Sequence, residues 1–176
     1  MAERTSPLID AAQLLKLHGD SNLVIVDANG APDARQTYDR HHLEGAVFVD
    51  MNKQLAEIGP DAAKGGRHPL PTAANFAAAL TALGISTNSH IVAYDDKNGA
   101  NAAARFWWML KAVGHKRVQV LDGGYQAAVA AGFPVSQQVP AVRPVTPYPA
   151  REFSLPLAGM TDVDKSRTDP GSIVVD

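Results

Sequence analysis

The chain alternates short, wholly apolar runs with longer stretches in which apolar residues return every third or fourth position. The short runs are Leu23-Val24-Ile25-Val26, Ala46-Val47-Phe48-Val49, Ile91-Val92-Ala93-Tyr94 and, with one polar residue, Val118-Gln119-Val120-Leu121. They are rich in β-branched residues, too brief for a buried helix and bounded by polar residues or glycine, so each predicts a strand buried on both faces. The periodic stretches predict helices. One begins near Asp10, with Gln13 as its capping-box partner, and stops at Gly19. A second is capped by Thr72, spaces Phe76, Leu80 and Leu83 helically and ends at Gly84. A third runs from about Asn101 to Val113, carries Phe106, Met109, Leu110 and Val113 on one face, and closes at Gly114. A fourth, short one is opened by Gly123-Gly124 and contains Ala127 to Ala131. Buried strands alternating with helices predict an α/β domain with a parallel sheet covered on both faces.

The pattern changes after Phe133. Pro134, Pro140, Pro144, Pro147, Pro149 and Pro156 are half of the 12 prolines. Proline at that density resists helix and central strand, which predicts an extended, semi-rigid connector leading away from a finished domain. Ser172-Ile173-Val174-Val175-Asp176 then repeats the pattern of Asn22-Leu23-Val24-Ile25-Val26-Asp27, and each follows a polar turn. The repeat predicts a domain over residues 1–135, a proline-rich connector over 136–160, and the start of a second, truncated copy over 161–176. The competing reading is a terminal strand added to the edge of the one domain present.

Composition narrows the function classes. The 176 residues are 45% hydrophobic, enough for one core, and the formal charge of −2 comes without a long like-charge run. Neither nucleic acid nor a membrane surface is expected as a partner. The start of the chain is polar, and no run reaches the roughly 18 apolar residues that span a bilayer, so the expected location is cytoplasmic. There is no cysteine, which removes disulfides, thiolate metal ligands and thiol nucleophiles together. None of the six histidines lies in a His-Glu-x-x-His arrangement, and neither a metal nor a cofactor is expected.

The loop after the third strand, Asp95-Asp96-Lys97-Asn98-Gly99-Ala100, is the best candidate for chemistry. Ligands of open α/β sheets sit beyond the carboxyl ends of the strands, and a short glycine-containing loop that leads into a helix converges N–H groups on an anion. That anion could come from outside. It could equally be the carboxylate of Asp95 or Asp96, in which case Asp95 docks on the helix and has no reactive role.

Several motifs occur in a familiar order. Tyr38-x-x-x-His42-Leu43-Glu44-Gly45-Ala46-x-x-Val49 is similar to the rhodanese signature, with Glu44 where proline is usual. Ile91 to Asp95, Ala104-Arg105-Phe106-Trp107-Trp108-Met109-Leu110, Gly114-His115 and Val120-Leu121-Asp122-Gly123-Gly124 resemble the amino-terminal half of tandem rhodaneses, the thiosulfate and 3-mercaptopyruvate sulfurtransferases. The likeness covers roughly residues 8 to 135 and continues through the connector. It implies a rhodanese-like three-layer fold, with a central parallel sheet of about five strands and helices on both faces. It also implies that Asp95 stands where the second domain carries the sulfur-accepting cysteine, so that no catalytic residue lies in this chain. The implied partners are a carboxyl-terminal rhodanese domain of the same protein, a small sulfur donor, and a thiol or cyanide acceptor.

In such proteins the first domain lends wall and charge to an interdomain site. Gly65-Gly66-Arg67-His68-Pro69-Leu70-Pro71 resembles the loop that brings a cation near a substrate carboxylate. Arg67 would pair with that group, His68 would hydrogen-bond beside it, and Asp50 would orient the loop. The alternative is a solvated loop with Arg67 exposed. His42 is expected to fix the turn before the second strand through backbone hydrogen bonds. Of Trp107 and Trp108, one is expected in the core and the other against the connector or a partner domain. Arg105 is expected to pair with a carboxylate, and Gly123-Gly124 to serve packing and turn geometry. A cysteine-free module that binds another protein is the second functional reading. A carrier using the Asp95–Ala100 loop is the third, with two acidic residues against it.

Overall fold

The computed structural model describes residues 5–63 and 65–174. Its elements, in chain order, are β1 (Leu8–Ile9), α1 (Ala11–Leu17), β2 (Leu23–Asn29), α2 (Ala34–Arg40), β3 (His42–Leu43), β4 (Val47–Asp50), α3 (Met51–Gln54), α4 (Ala73–Ala82), β5 (His90–Tyr94), α5 (Ala102–Ala112), β6 (Val118–Leu121), α6 (Gly124–Ala130), β7 (Val135–Ser136) and α7 (Met160–Ser166). Five strands form one parallel sheet in the order β1-β6-β5-β2-β4. The four predicted strands are its centre and one edge. The predicted start signals hold as well. Asp10 and Gln13 close a capping box on α1, and the Thr72 side chain accepts from Asn75 N at 3.1 Å to cap α4.

Alternation along the strands sorts the core into two layers. Val26, Ala28, Ile91 and Ala93 face Phe76 and Leu80 of α4 and Phe106, Met109 and Leu110 of α5. Ile25, Val92, Tyr94 and Leu121 face Leu14 of α1 and Ala128 of α6. All of these side chains are buried.

Elements with weak patterns complete the frame. β1 is two residues long and pairs Leu8 with Val120 and Ile9 with Leu121. In α2 only Ala34 and Tyr38 are buried, and its polar face carries a two-pronged Arg35–Asp39 pair at 2.9 and 3.1 Å. β3 and β7 form a small antiparallel pair, His42 opposite Ser136 and Leu43 opposite Val135.

The proline-rich segment contains no helix or strand from residue 137 to 159, as expected of a connector. Instead of leading away, however, it is fastened to the domain as a strap. The Arg143 guanidinium donates to Ser21 O at 2.9 Å. Tyr148 is buried; its N–H donates to Thr81 Oγ1 at 2.9 Å and its hydroxyl lies 2.8 Å from His115 Nδ1. Phe153 packs against Phe76 and Trp108, with ring centroids 6.3 and 6.2 Å apart, and Ser154 bonds the Ala112 carbonyl through both N–H and hydroxyl. The apolar contacts come from the aromatic residues between the prolines, which explains why proline density alone misreads the segment's course.

Beyond the strap, α7 buries none of its residues, and Met160 is 81% exposed. Ser172 to Val174 pair with no strand among the described residues, and Ile173 is 86% exposed. The rest of the predicted repeat, Val175-Asp176, lies outside the described residues.

Candidate functional site

The loop leaving β5 builds the predicted cradle. Asp95, 1% exposed, sits at its centre. Its Oδ1 accepts from Lys97 N at 2.9 Å and Gly99 N at 2.7 Å, and its Oδ2 from Asn101 N and Ala103 N, both at 3.1 Å. Two left-handed residues in succession, Asn98 (φ 59°) and Gly99 (φ 83°), turn these N–H groups inward. Gly99 is also a matter of space, because a Cβ there would come within 2.9 Å of Leu121 O. On the other side Asp95 O accepts from Tyr125 N at 3.1 Å. Gly124 (φ 59°) passes so close that its Cβ would stand 2.5 Å from that oxygen, so Gly123-Gly124 serves close packing, as expected. The cradle exists, and its occupant is the carboxylate of its own first residue.

Beside this loop lies a cleft of about 890 Å³, walled by the Asn29–Pro32 turn, Met51 and Asn52 of α3, Arg67, His68, and Asn101 and Arg105 around the start of α5. Arg67, His68 and Asp95 therefore meet in one place. Asp50 does not line the cleft and touches it only by way of Asn52. Its Oδ1 accepts from Asn52 N at 2.9 Å. The Asn52 amide donates to Gly30 O at 3.2 Å, which turns its Oδ1 toward His68 Nε2 at 3.0 Å. His68 then donates from Nε2 and keeps Nδ1 as an acceptor. Arg67 is exposed on the rim, and Lys97, 3.9 Å from Asp96, is also in the lining. A smaller cavity of about 400 Å³ opens at the amino ends of the strands, beneath residues 140–145.

At three residues the structure departs from the sequence reading or adds to it. Arg105 pairs with no carboxylate among the described residues. It donates to Leu55 O from Nε at 3.0 Å and from Nη2 at 2.8 Å, to His68 O at 2.9 Å and to Pro69 O at 3.3 Å. Burial lowers its pKa. Asn52 carries no sequence signal, since a lone asparagine in a short helix has none. Asp27, in sequence only the end of a strand, is a buried carboxyl whose pKa is pushed up to about 7, chiefly by desolvation, with Asp96 and Asp95 adding and the Tyr94 hydrogen bond opposing. Tyr94 donates to Asp27 Oδ2 at 3.0 Å and accepts from Leu43 N at 3.1 Å.

The signature residues outside the cleft are structural. His42 is buried, stacks on Tyr38 at 4.0 Å, and places its ring nitrogens 2.7 Å from Tyr38 O and 3.1 Å from Gln138 O. It fixes the turn before β4, as expected. Glu44 departs from the usual proline, and its N–H donates to Pro134 O at 2.9 Å, a bond proline would forgo. Trp107 donates to Val118 O at 3.2 Å while Trp108 meets the strap, so the expected contact with the connector is found. Both rings, however, are half-buried against the core, and neither lies within it.

A parallel sheet whose central strand ends in an anion cradle at the start of the next helix defines an α/β domain of the rhodanese type. The chain belongs to that family: the family model for the Rhodanese-like domain matches residues 10–131. The chain is 37% identical over 105 residues to 3-mercaptopyruvate sulfurtransferase of Mus musculus, covering 59% of this chain and 34% of that protein. It is also 37% identical over 138 residues to thiosulfate/3-mercaptopyruvate sulfurtransferase 2 of Arabidopsis thaliana, covering 76% and 39%. Among solved structures, 3-mercaptopyruvate sulfurtransferase from Leishmania major superimposes with a TM-score of 0.73 at 29% identity, over 82% of this chain and 40% of that one. SseA from Escherichia coli gives a TM-score of 0.72 at 26% identity, over 92% and 62%. The chain thus spans less than two thirds of the length of each.

Proposed function

We propose that this chain is the cysteine-free amino-terminal half of a tandem rhodanese sulfurtransferase, with thiosulfate or 3-mercaptopyruvate as sulfur donor, and that it is inactive alone. The observation that carries the reading is the filled cradle. Four N–H groups that would otherwise stabilise an anionic sulfur are spent on the Asp95 carboxylate, and the sequence has no cysteine. Sulfur transfer needs a thiolate that attacks the donor's terminal sulfur and later yields it to a thiol or cyanide. A carboxylate forms no persulfide. The nucleophile therefore belongs to a carboxyl-terminal rhodanese domain, which the greater length of the relatives supports.

This half contributes the cation wall. Arg67 pairs with the carboxylate of a mercaptopyruvate-like donor, His68 stands beside it on the cleft wall, and Asp50 holds Asn52 behind it. The test compares the 176-residue chain with the same chain extended through a carboxyl-terminal rhodanese domain, each assayed with both donors and cyanide. The expected result is turnover only by the extended protein, with Arg67→Ala raising KM for mercaptopyruvate at least about tenfold, the loss of one charge-assisted pair. Turnover by the short chain would refute its inactivity. No turnover by either would leave the cysteine-free protein-binding module as the reading.

A further inference from the structure

We propose that Arg105 is a positioning residue of the cleft, clamping both ends of the segment from Leu55 to Pro69 and so setting where Arg67 and His68 stand. The inference rests on the reading of Arg67 and His68 as the substrate-facing pair.

The segment has little else to hold it. Among the described residues from 55 to 72 there is no helix or strand. Among the described residues its other hydrogen bonds are Leu55 N to Met51 O at 3.3 Å, Glu57 N to Pro69 O at 3.1 Å, Thr72 N to the Glu57 carboxylate at 3.3 Å, Ala63 N to Asp61 Oδ1 at 3.0 Å within the loop, and the His68–Asn52 bond. Leu55 is fully buried in the core and is a fixed point. Arg105 grips its carbonyl with two N–H groups and, from the same guanidinium, reaches the carbonyls of His68 and Pro69. One rigid side chain on α5 thereby ties the loop carrying Arg67 and His68 to the core.

The choice of residue is informative. A half-buried cation with only carbonyl partners is costly to desolvate, and burial lowers its pKa accordingly. A planar fork bridges separated carbonyls as the point charge of lysine cannot. Its charge also remains at the cleft wall, where with Arg67 and Lys97 it outweighs Asp95 and Asp96 and leaves the lining positive on balance. Every donor bond Arg105 makes among the described residues goes to backbone, so its hydrogen bonds act on the loop.

The experiment uses the full 176-residue chain, uniformly ¹³C,¹⁵N-labelled, with pyruvate as the probe. In the wild type, pyruvate is expected to shift the Arg67 and His68 amides. The Arg105 Nε–H should exchange slowly and show a through-hydrogen-bond coupling to the Leu55 carbonyl carbon. Arg105→Lys keeps the charge and loses the fork. It should leave the sheet amides protected, speed exchange of the Glu57 amide, which donates to Pro69 O, change the His68 ring ¹⁵N signals as the Asn52 bond loosens, and weaken pyruvate binding at least about tenfold. Unchanged His68 signals and pyruvate affinity in a folded Arg105→Lys would overturn the proposal. So would a fast-exchanging, uncoupled Nε–H in the wild type, which decides the matter even if the variant fails to fold. A wild type that ignores pyruvate would instead overturn the carboxylate-binding reading of Arg67 and His68, leaving the ring signals and the Nε–H to judge Arg105.

Discussion

Asp27 and Asp95 are buried carboxyls at the carboxyl ends of adjacent strands, and they are held in opposite ways. Asp95 receives four backbone N–H bonds; Asp27 receives one hydroxyl and faces the charges of Asp95 and Asp96. Between the ordinary aspartate value of 3.8 and about 7, the unfolded chain has lost the Asp27 proton while the folded chain keeps it. Stability therefore falls as pH rises through that window and levels off above it. Asp27→Asn retains an acceptor for Tyr94 and removes the penalty. The variant is expected to be the more stable of the two near pH 8, by on the order of 2–4 kcal/mol at 1.36 kcal/mol per pKa unit, and to lose that advantage below about pH 4. Urea melts across the range check both ends. At Asp95 the opposite outcome is expected: Asn offers one acceptor oxygen, strands part of the cradle and destabilises by about 1–3 kcal/mol at neutral pH. The anion cradle is legible because glycine, aspartate and a helix start converge in sequence. Asp27's burial is not, since it depends on residues distant in sequence, such as Tyr94, whose hydroxyl donates to it.

Elements reveal themselves in sequence in proportion to how much apolar surface they turn inward. β2, β4, β5 and β6 are buried strands and stand out. α1 and α4 carry Asp10 and Thr72 caps that the side chains themselves announce. β1, β3 and β7 are too short to show a period, and α2 hides behind a polar face with two buried residues. The strap is legible as extended backbone but not as a packed one. Its hold is measurable. His115 has a lowered pKa, chiefly from burial, so acidification below about 6.5 protonates the unfolded chain first and erodes stability. Tyr148→Phe removes the hydroxyl at His115 and is expected to cost about 1 kcal/mol by thermal or urea melting. Gly124→Ala forces a left-handed alanine against Asp95 O. It should cost more than the roughly 1–2 kcal/mol of left-handed strain alone, on the order of 2–4 kcal/mol.

For the whole molecule, the sheet has its cleft at one end of the strands and its strap at the other. The strap covers Phe76 and Trp108 and crosses the amino ends of the strands, while the cleft opens at the carboxyl ends beside Asp95. Ending the chain after Ser136 is therefore expected to lower Tm and raise binding of a hydrophobic dye, without removing the cleft residues. The cradle of this rhodanese-type domain is filled from within by the Asp95 carboxylate. Amide hydrogen exchange of the wild-type chain, read residue by residue, tests this claim most directly. Lys97, Gly99, Asn101 and Ala103 should exchange as slowly as neighbouring sheet amides, because each donates to Asp95. Fast exchange at these four, beside a protected β5, would show an open cradle and contradict the claim.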